Sequence, residues 1–183
     1  SNGEVESYIK QVNGIFVTLK CQLQSRYGEV IDDDHPIWAW MTRNAGETIY
    51  RYKVGTDGKT PRMRLKGKKF NREVVPFGEC VWFLKPKSKG EDKRETRWAT
   101  GVWLGIREES GEVLVGTKDG VFKVRSVRRK AEGAGRWELT VLKEMIGTPW
   151  QPEPPRNSDQ VRCRPGLPRT DDEIVEVPQI DDR

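Results

Sequence analysis

Apolar positions change period along the chain, and the changes divide it. Val5, Ile9, Val12, Phe16, Leu19 and Leu23 are separated by 4, 3, 4, 3 and 4 residues. This spacing keeps one stripe on one side of a helix, so it predicts a long α-helix whose stripe faces a core for about five turns. Gly14 in mid-helix costs about 1 kcal/mol relative to Ala, so packing must hold the element. Glu6, Lys10 and Asn13 follow their own rhythm on a face beside the stripe. Tyr27-Gly28 ends the helix and Asp32-Asp33-Asp34-His35-Pro36 opens a second one. In it Ile37, Trp38, Met41, Ala45, Ile49 and Tyr52 recur at helical spacing. Asp34 or a neighbour is expected to cap it, the acidic run suits the positive helix end, and Pro36 fits the first turn. The three aspartates and His35 therefore read as helix-start devices rather than metal ligands.

Residues 54–78 are irregular and basic, with Lys59-Thr60-Pro61 followed by Arg62, Arg64, Lys66, Lys68 and Lys69. Only Met63, Leu65 and Phe70 offer anchors there, so a loop or short helix on a surface is expected. From Glu79 the period becomes alternating. Strands are expected at Val81–Leu84, Arg97–Arg107, Val113–Val115 and Val121–Val127, with a last one from Trp137 to Leu142. Pro86 to Arg94 reads as a flexible connection, and Lys118-Asp119-Gly120 is a hairpin turn signal. Five short strands joined by tight turns suggest a small closed antiparallel β-barrel over residues 79–147, since closure removes edges. The tail from Thr148 to Arg183 is rich in Pro and charge and is expected to be a disordered linker. The fold class is α+β: two helices in residues 1–53, a basic linker, a small barrel and a tail.

Composition sharpens this division. Hydrophobic residues are 34% of the 183 and charged residues 33%, which favours small cores with charged surfaces. No apolar run is long enough for a membrane helix. The chain begins Ser1-Asn2-Gly3, without an initiator Met or a basic-then-apolar leader, and is expected to be a piece of something longer. Cys21, Cys80 and Cys163 are odd in number and widely spaced, and His35 is the single histidine. Reduced cysteines in a nuclear or cytoplasmic protein are expected, not a disulfide framework or a zinc site.

Net charge is +5, unevenly distributed. Residues 1–58 carry 6 Lys/Arg against 8 Asp/Glu, residues 59–130 carry 20 against 9, and residues 131–183 carry 7 against 11. The middle block is thus +11, between blocks of −2 and −4. Such a block is the footprint of a polyanion-binding surface. On the strand from Val121, Lys123 and Arg125 share one face, and Arg128-Arg129-Lys130 follow at its exit. These five residues, extended by Lys66, Lys68 and Lys69, are the candidate DNA phosphate contacts.

Three stretches, in order, resemble a known family. Asn2-Gly3-Glu4-Val5-Glu6 before a long helix resembles the Asn-Gly-x-x-Glu helix of the retroviral-type integrase core. Lys59-Thr60-Pro61, Lys66-Gly67-Lys68-Lys69 and Pro76-Phe77-Gly78-Glu79-Cys80 resemble the link leaving the core in copia-type retrotransposon integrases, with Glu79 as an insertion between Gly78 and Cys80. Gly101-Val102-Trp103-Leu104-Gly105 resembles a strand of the small barrel that follows. The resemblance covers about residues 1–130. It implies that the first helices close a ribonuclease-H-like core. Glu6 would be the third acid of an Asp, Asp, Glu triad that holds Mg2+ or Mn2+ for strand transfer. Lys10 would contact DNA beside the metal site; three residues on, where the family often has a second basic residue, stands Asn13. The two aspartates of the triad precede this helix in the family, and Asp32 to Asp34 follow it. One carboxylate does not hold two divalent metals, so this chain alone is expected to bind no metal tightly and to be catalytically inactive. Its retained partner would be DNA, and possibly a second copy of itself, with no membrane involved.

Two rival readings stand beside this one. In the first, the barrel is a free-standing module of chromatin or nucleic-acid binding. Reading a methylated histone tail would require Trp82, Trp98, Trp103 and Trp137 to converge as a cage. In the second, the chain is a remnant whose helical stripe lacks its partner surface.

Overall fold

The structure is a computed structural model that describes residues 2–85 and 97–154. Helices α1 (Asn2–Tyr27) and α2 (Ile37–Tyr52) come first, then a short α3 (Pro61–Lys66). Strands β1 (Cys80–Leu84), β2 (Trp98–Ile106), β3 (Val113–Thr117), β4 (Gly120–Val124) and β5 (Val127–Arg129) follow, and α4 (Leu139–Lys143) closes the described chain. No helix among the described residues is long and apolar enough to cross a membrane.

Both long helices form where the periodicity places them, but the stripe of α1 is only partly used. Leu23 and Tyr27 are buried and Phe16 and Leu19 pack beside them. Val5 and Ile9 keep 60% and 51% of their surface in solvent. The expectation that the stripe faces a core along its whole length is therefore corrected: it is covered from about Val12 onward, and its first two residues are left exposed. At the start of α2 the cap comes from His35, the neighbour of Asp34. The first N–H of the helix, from Ile37, donates to His35 Nδ1 at 3.1 Å, and no side chain at the Pro36 cap position serves. His35 Nε2–H donates in turn to the Leu142 carbonyl at 2.9 Å. The imidazole thus caps one helix and ties it to α4.

That arrangement needs a neutral ring, with Nδ1 accepting and Nε2 donating. Burial lowers the His35 pKa below its ordinary 6.5. The unfolded chain then binds the extra proton first, so this contribution to stability is full above about pH 6.5 and is lost as pH falls below it. Thermal midpoints of the native chain should drop on acidification through that range. In His35→Gln the drop should be smaller; an identical pH profile would show that His35 is not the group responsible.

The Lys59-Thr60-Pro61 stretch is a helix start. Thr60 Oγ1 accepts from the Met63 N–H at 3.2 Å, Pro61 occupies the first turn, and Gly67 ends α3 with φ 71°. These are the residues that suit a cap, a first turn and a left-handed terminus.

The sheet is antiparallel in the order β4-β3-β2-β1-β5. It is open: no ladder joins β4 to β5, so the expected closed barrel is corrected. The sheet is nevertheless curled. Phe83 on β1 and Phe122 on β4 stack with centroids 5.8 Å apart. A flat sheet would separate these strands by three spacings, about 14 Å. The predicted strand 121–127 breaks into β4 and β5 at Arg125-Ser126, and Leu84 N–H donates to Ser126 O at 3.1 Å. Gly101 and Gly105, the ends of the Gly-Val-Trp-Leu-Gly stretch, are structural. A Cβ on Gly101 would lie 2.4 Å from Val115 Cγ1 and 2.8 Å from the Gly116 carbonyl. Gly105 has φ 140° at the β-bulge between Trp103 and Gly105, a conformation that favours glycine.

The expected fifth strand, Trp137 to Leu142, does not form: a short 3-10 turn (Ala134–Arg136) precedes it, and its residues from Leu139 belong to α4. Leu139, Leu142 and Met145 recur every third residue, and the last two are buried at 0% and 2% exposure. The chain also continues to pack on the fold past Thr148, which is itself buried. Ile146 N–H donates to Thr117 O at 3.1 Å, and Val121 N–H donates to Pro152 O at 2.8 Å, so residues 146–152 lie along the β3–β4 hairpin. This corrects the expected start of the linker; the remainder of that tail, from 155, lies outside the described residues, as does the connection 86–96.

One hydrophobic cluster runs through helices and sheet, from Leu23, Tyr27, Ile37 and Trp40 to Phe77, Val81, Trp103 and Leu142. Polar ties cross it. Tyr27 OH donates to Gly78 O at 2.7 Å, and Trp40 Nε1–H donates to Gly147 O at 2.8 Å. Residues 1–53 and 79–147, read from the sequence as separate parts, share this core.

Candidate nucleic-acid interface

Among the candidate site residues, Glu6 and Lys10 lie one turn apart on the exposed N-terminal half of α1. No group of three or more His, Cys, Asp or Glu converges on a metal-sized site among the described residues. Among the described residues Glu6 thus has no partner carboxylates with which to hold the divalent metal that the resemblance implies. Asp33 is 3.3 Å from Lys20.

In the basic linker the arginines and the lysines have different fates. Arg62 pairs with Glu108 at 2.8 Å and donates to Lys68 O at 2.7 Å. Arg64 pairs with Asp57, and that guanidinium holds the Asp57 carboxyl well below the usual carboxylate range. Arg72 donates to Gly111 O on the β2–β3 turn. Phe70 packs under Arg51 and Arg62, with guanidinium carbons 4.5 and 5.4 Å from its ring centre. The planar fork of Arg serves carboxylates, carbonyls and rings together, so Arg62 and Arg72 fasten the linker to the fold while Arg64 closes a pair within it. Lys66, Lys68 and Lys69 are exposed and make no ion pair among the described residues.

The second basic group divides by strand alternation. Arg129 stands opposite Val81, so its side chain shares the face of Glu79, two residues earlier. Glu79 is fully buried, and its two carboxylate oxygens accept from Arg129 Nε and Nη2 at 2.8 and 2.7 Å. Arg136 lies 3.8 Å from the same carboxylate. Glu79 keeps the Arg129 pKa above its ordinary value. Arg129, a candidate DNA contact by sequence, is thus engaged in holding a buried carboxylate. Glu79, an insertion in the motif reading, is its anchor; an acid set among Phe77, Cys80, Val81 and Phe83 was the signal for a buried partner.

Arg128 stands opposite Trp82 on the other face. Its guanidinium lies 4.9 Å from the Trp98 ring centre, and Lys130 Nζ lies 4.8 Å from the Trp82 ring centre. Lys130 also pairs with Glu138 at 3.4 Å and keeps only 10% of its side chain exposed. Lys123 is exposed and makes no ion pair among the described residues, while Arg125 is 89% exposed and 3.8 Å from Glu112. Phe122 and Val124 turn inward between them, as the alternation requires. The lysines 10, 66, 68, 69 and 123, with Arg125 and Arg128, are thus the candidates left available to an anion.

The four tryptophans do not converge. Trp103 is in the core, and Trp137 packs edge-on against Tyr27 at 5.5 Å with Arg26 above it at 4.7 Å. A mostly apolar cavity of about 230 Å³ lies between α1, α2 and the segment 74–77, bordered by Leu19, Leu23, Phe77, Trp103, Arg26 and Arg51. Arg51 there is paired with Glu47 at 3.0 Å and donates to Ile106 O.

Comparison with family models, with curated proteins and with solved structures returns no match to this chain.

Proposed function

We propose that this chain binds duplex DNA through its phosphates, without catalysis by its own residues, and that it derives from the C-terminal part of a copia-type integrase. The observation that carries the binding reading is the sorting of the basic block. Arginines 62, 64, 72 and 129 are engaged by carboxylates or carbonyls of the chain itself, whereas Lys66, Lys68, Lys69, Lys123 and Arg128 are exposed with no acid partner among the described residues. A fold that only needed solubility would gain as much from interspersed charges of both signs. An uncompensated set of lysines suits a polyanion. The ordered motifs between Asn2 and Gly105 support the integrase origin. The histone-reader alternative is weakened because Trp82 and Trp98 each already face a cation of the protein itself. A methylammonium group would meet repulsion there.

Lys66, Lys68 and Lys69 replaced together by Ala should weaken binding to unrelated duplexes by a similar factor. The slope of log K against log salt should flatten by about 2–3 units. Stability should hold to within about 0.5 kcal/mol, since these side chains touch nothing that holds the fold. Unchanged affinity would remove the linker lysines from the surface.

A further inference from the structure

Trp82 keeps 43% of its surface exposed although it sits on β1, inside the sheet, with β2 and β5 on either side. An indole in that place is normally covered. Its direct neighbours across the strands are Thr100 on β2 and Arg128 on β5. Trp98 pairs with Leu84, which puts it on the same face, one diagonal step away. Lys130 props one side of the Trp82 ring and is itself held by Glu138. Arg128 is stacked on Trp98 and has no acid partner among the described residues. The patch is therefore a half-exposed aromatic ring with a fixed cation on it and, beside it, a guanidinium without an acid partner among the described residues. A ring face stacks with any base, and an adjacent guanidinium takes the phosphate that links that base to the next. Duplex DNA offers phosphates to such a patch but keeps its bases stacked inside.

We infer that the Trp82–Arg128 patch binds single-stranded nucleic acid, with an unpaired base stacked on Trp82 and its phosphate at Arg128. The inference rests on the DNA-binding reading above and adds a second class of ligand, read by stacking rather than by charge alone. A protein partner with an acidic segment would use Arg128 but gain little from the exposed part of the ring, and a methylated lysine is opposed by the cations already there.

The test compares a labelled oligothymidylate of about ten nucleotides with a blunt mixed-sequence duplex, at one salt concentration. The native chain should bind both. Trp82→Ala should weaken oligothymidylate binding roughly 10-fold or more, in line with the loss of one base–aromatic stack. Its duplex affinity should stay within about 2-fold, because phosphates on the lysines carry that term. Trp82→Phe should restore most of the oligothymidylate binding. If Trp82→Ala does not fold, Trp82→Leu, which keeps apolar cover without a stacking ring, takes its place with the same expectation. Duplex binding without oligothymidylate binding, or equal losses on both ligands, would overturn this inference and leave the DNA reading intact. Binding of neither ligand by the native chain would overturn both. Capture of a trimethyl-lysine peptide, lost in the same variant, would overturn it in favour of the reader alternative.

Discussion

Arg129→Ala should destabilise the chain by about 2–3 kcal/mol while leaving the salt dependence of DNA binding almost unchanged. Glu79 is fully buried and Arg129 supplies both of its close charged hydrogen bonds. Removing one partner of a buried pair leaves the other charge desolvated, which costs about 3–5 kcal/mol when both are deep. The Arg129 side chain keeps 35% exposure and Arg136 remains 3.8 Å away, so solvent and the second arginine recover part of that loss. Urea unfolding would measure the change in stability. The matched control is Lys123→Ala, which should do the reverse: stability unchanged, salt slope reduced by about 1 unit. If Arg129→Ala reduced the slope as Lys123→Ala does, with no loss of stability, the assignment of Arg129 to the fold would be wrong.

A larger effect is expected at Trp40. It is 2% exposed on α2, and its Nε1–H satisfies the Gly147 carbonyl beyond α4. Trp40→Ala should cost about 3–5 kcal/mol through the cavity it leaves, with a further contribution from the orphaned carbonyl. Trp40→Phe should recover most of the packing but not the hydrogen bond. Because the helices and the sheet share one core, the loss should appear as a single cooperative transition at lower denaturant. Unfolding of the helices alone, with the near-ultraviolet signal of Trp103 and Trp98 preserved, would mean that residues 79–147 fold without α2.

The sequence was most legible where one rule acts without competition. The 4, 3 rhythm of α1 and α2 gave both helices, because only a helix puts those residues on one side. It could not say that Val5 and Ile9 stay more than half exposed, since periodicity marks a face but not what covers it. The alternation at Val121–Val124 placed Lys123 outward and Phe122 inward. It could not foresee the break at Arg125-Ser126, where the sheet curls. Leu139, Leu142 and Met145 fit α4, but the run Trp137 to Leu142 is short and apolar, and such runs suit a strand as well. The candidate surface was legible as a charge total and not as a sorting. Arg129 and Arg128 are neighbours in sequence on opposite faces of one strand, and only the register opposite Val81 and Trp82 shows which of them meets Glu79. His35 is a helix-start residue, as its place in the sequence implies, and it is the neighbour of Asp34 that supplies the cap.

The central claim is that exposed cations of the basic block meet DNA phosphates, and a salt titration of the native 183-residue chain tests it most directly. Affinity for a blunt duplex is measured by anisotropy between about 50 and 300 mM salt, on two unrelated sequences. With about four phosphates neutralised, log K should fall with log salt at a slope near −3.6, roughly −0.9 per contact, and the two sequences should give the same line. An affinity that does not move with salt, or no binding at the lowest salt, would contradict the account.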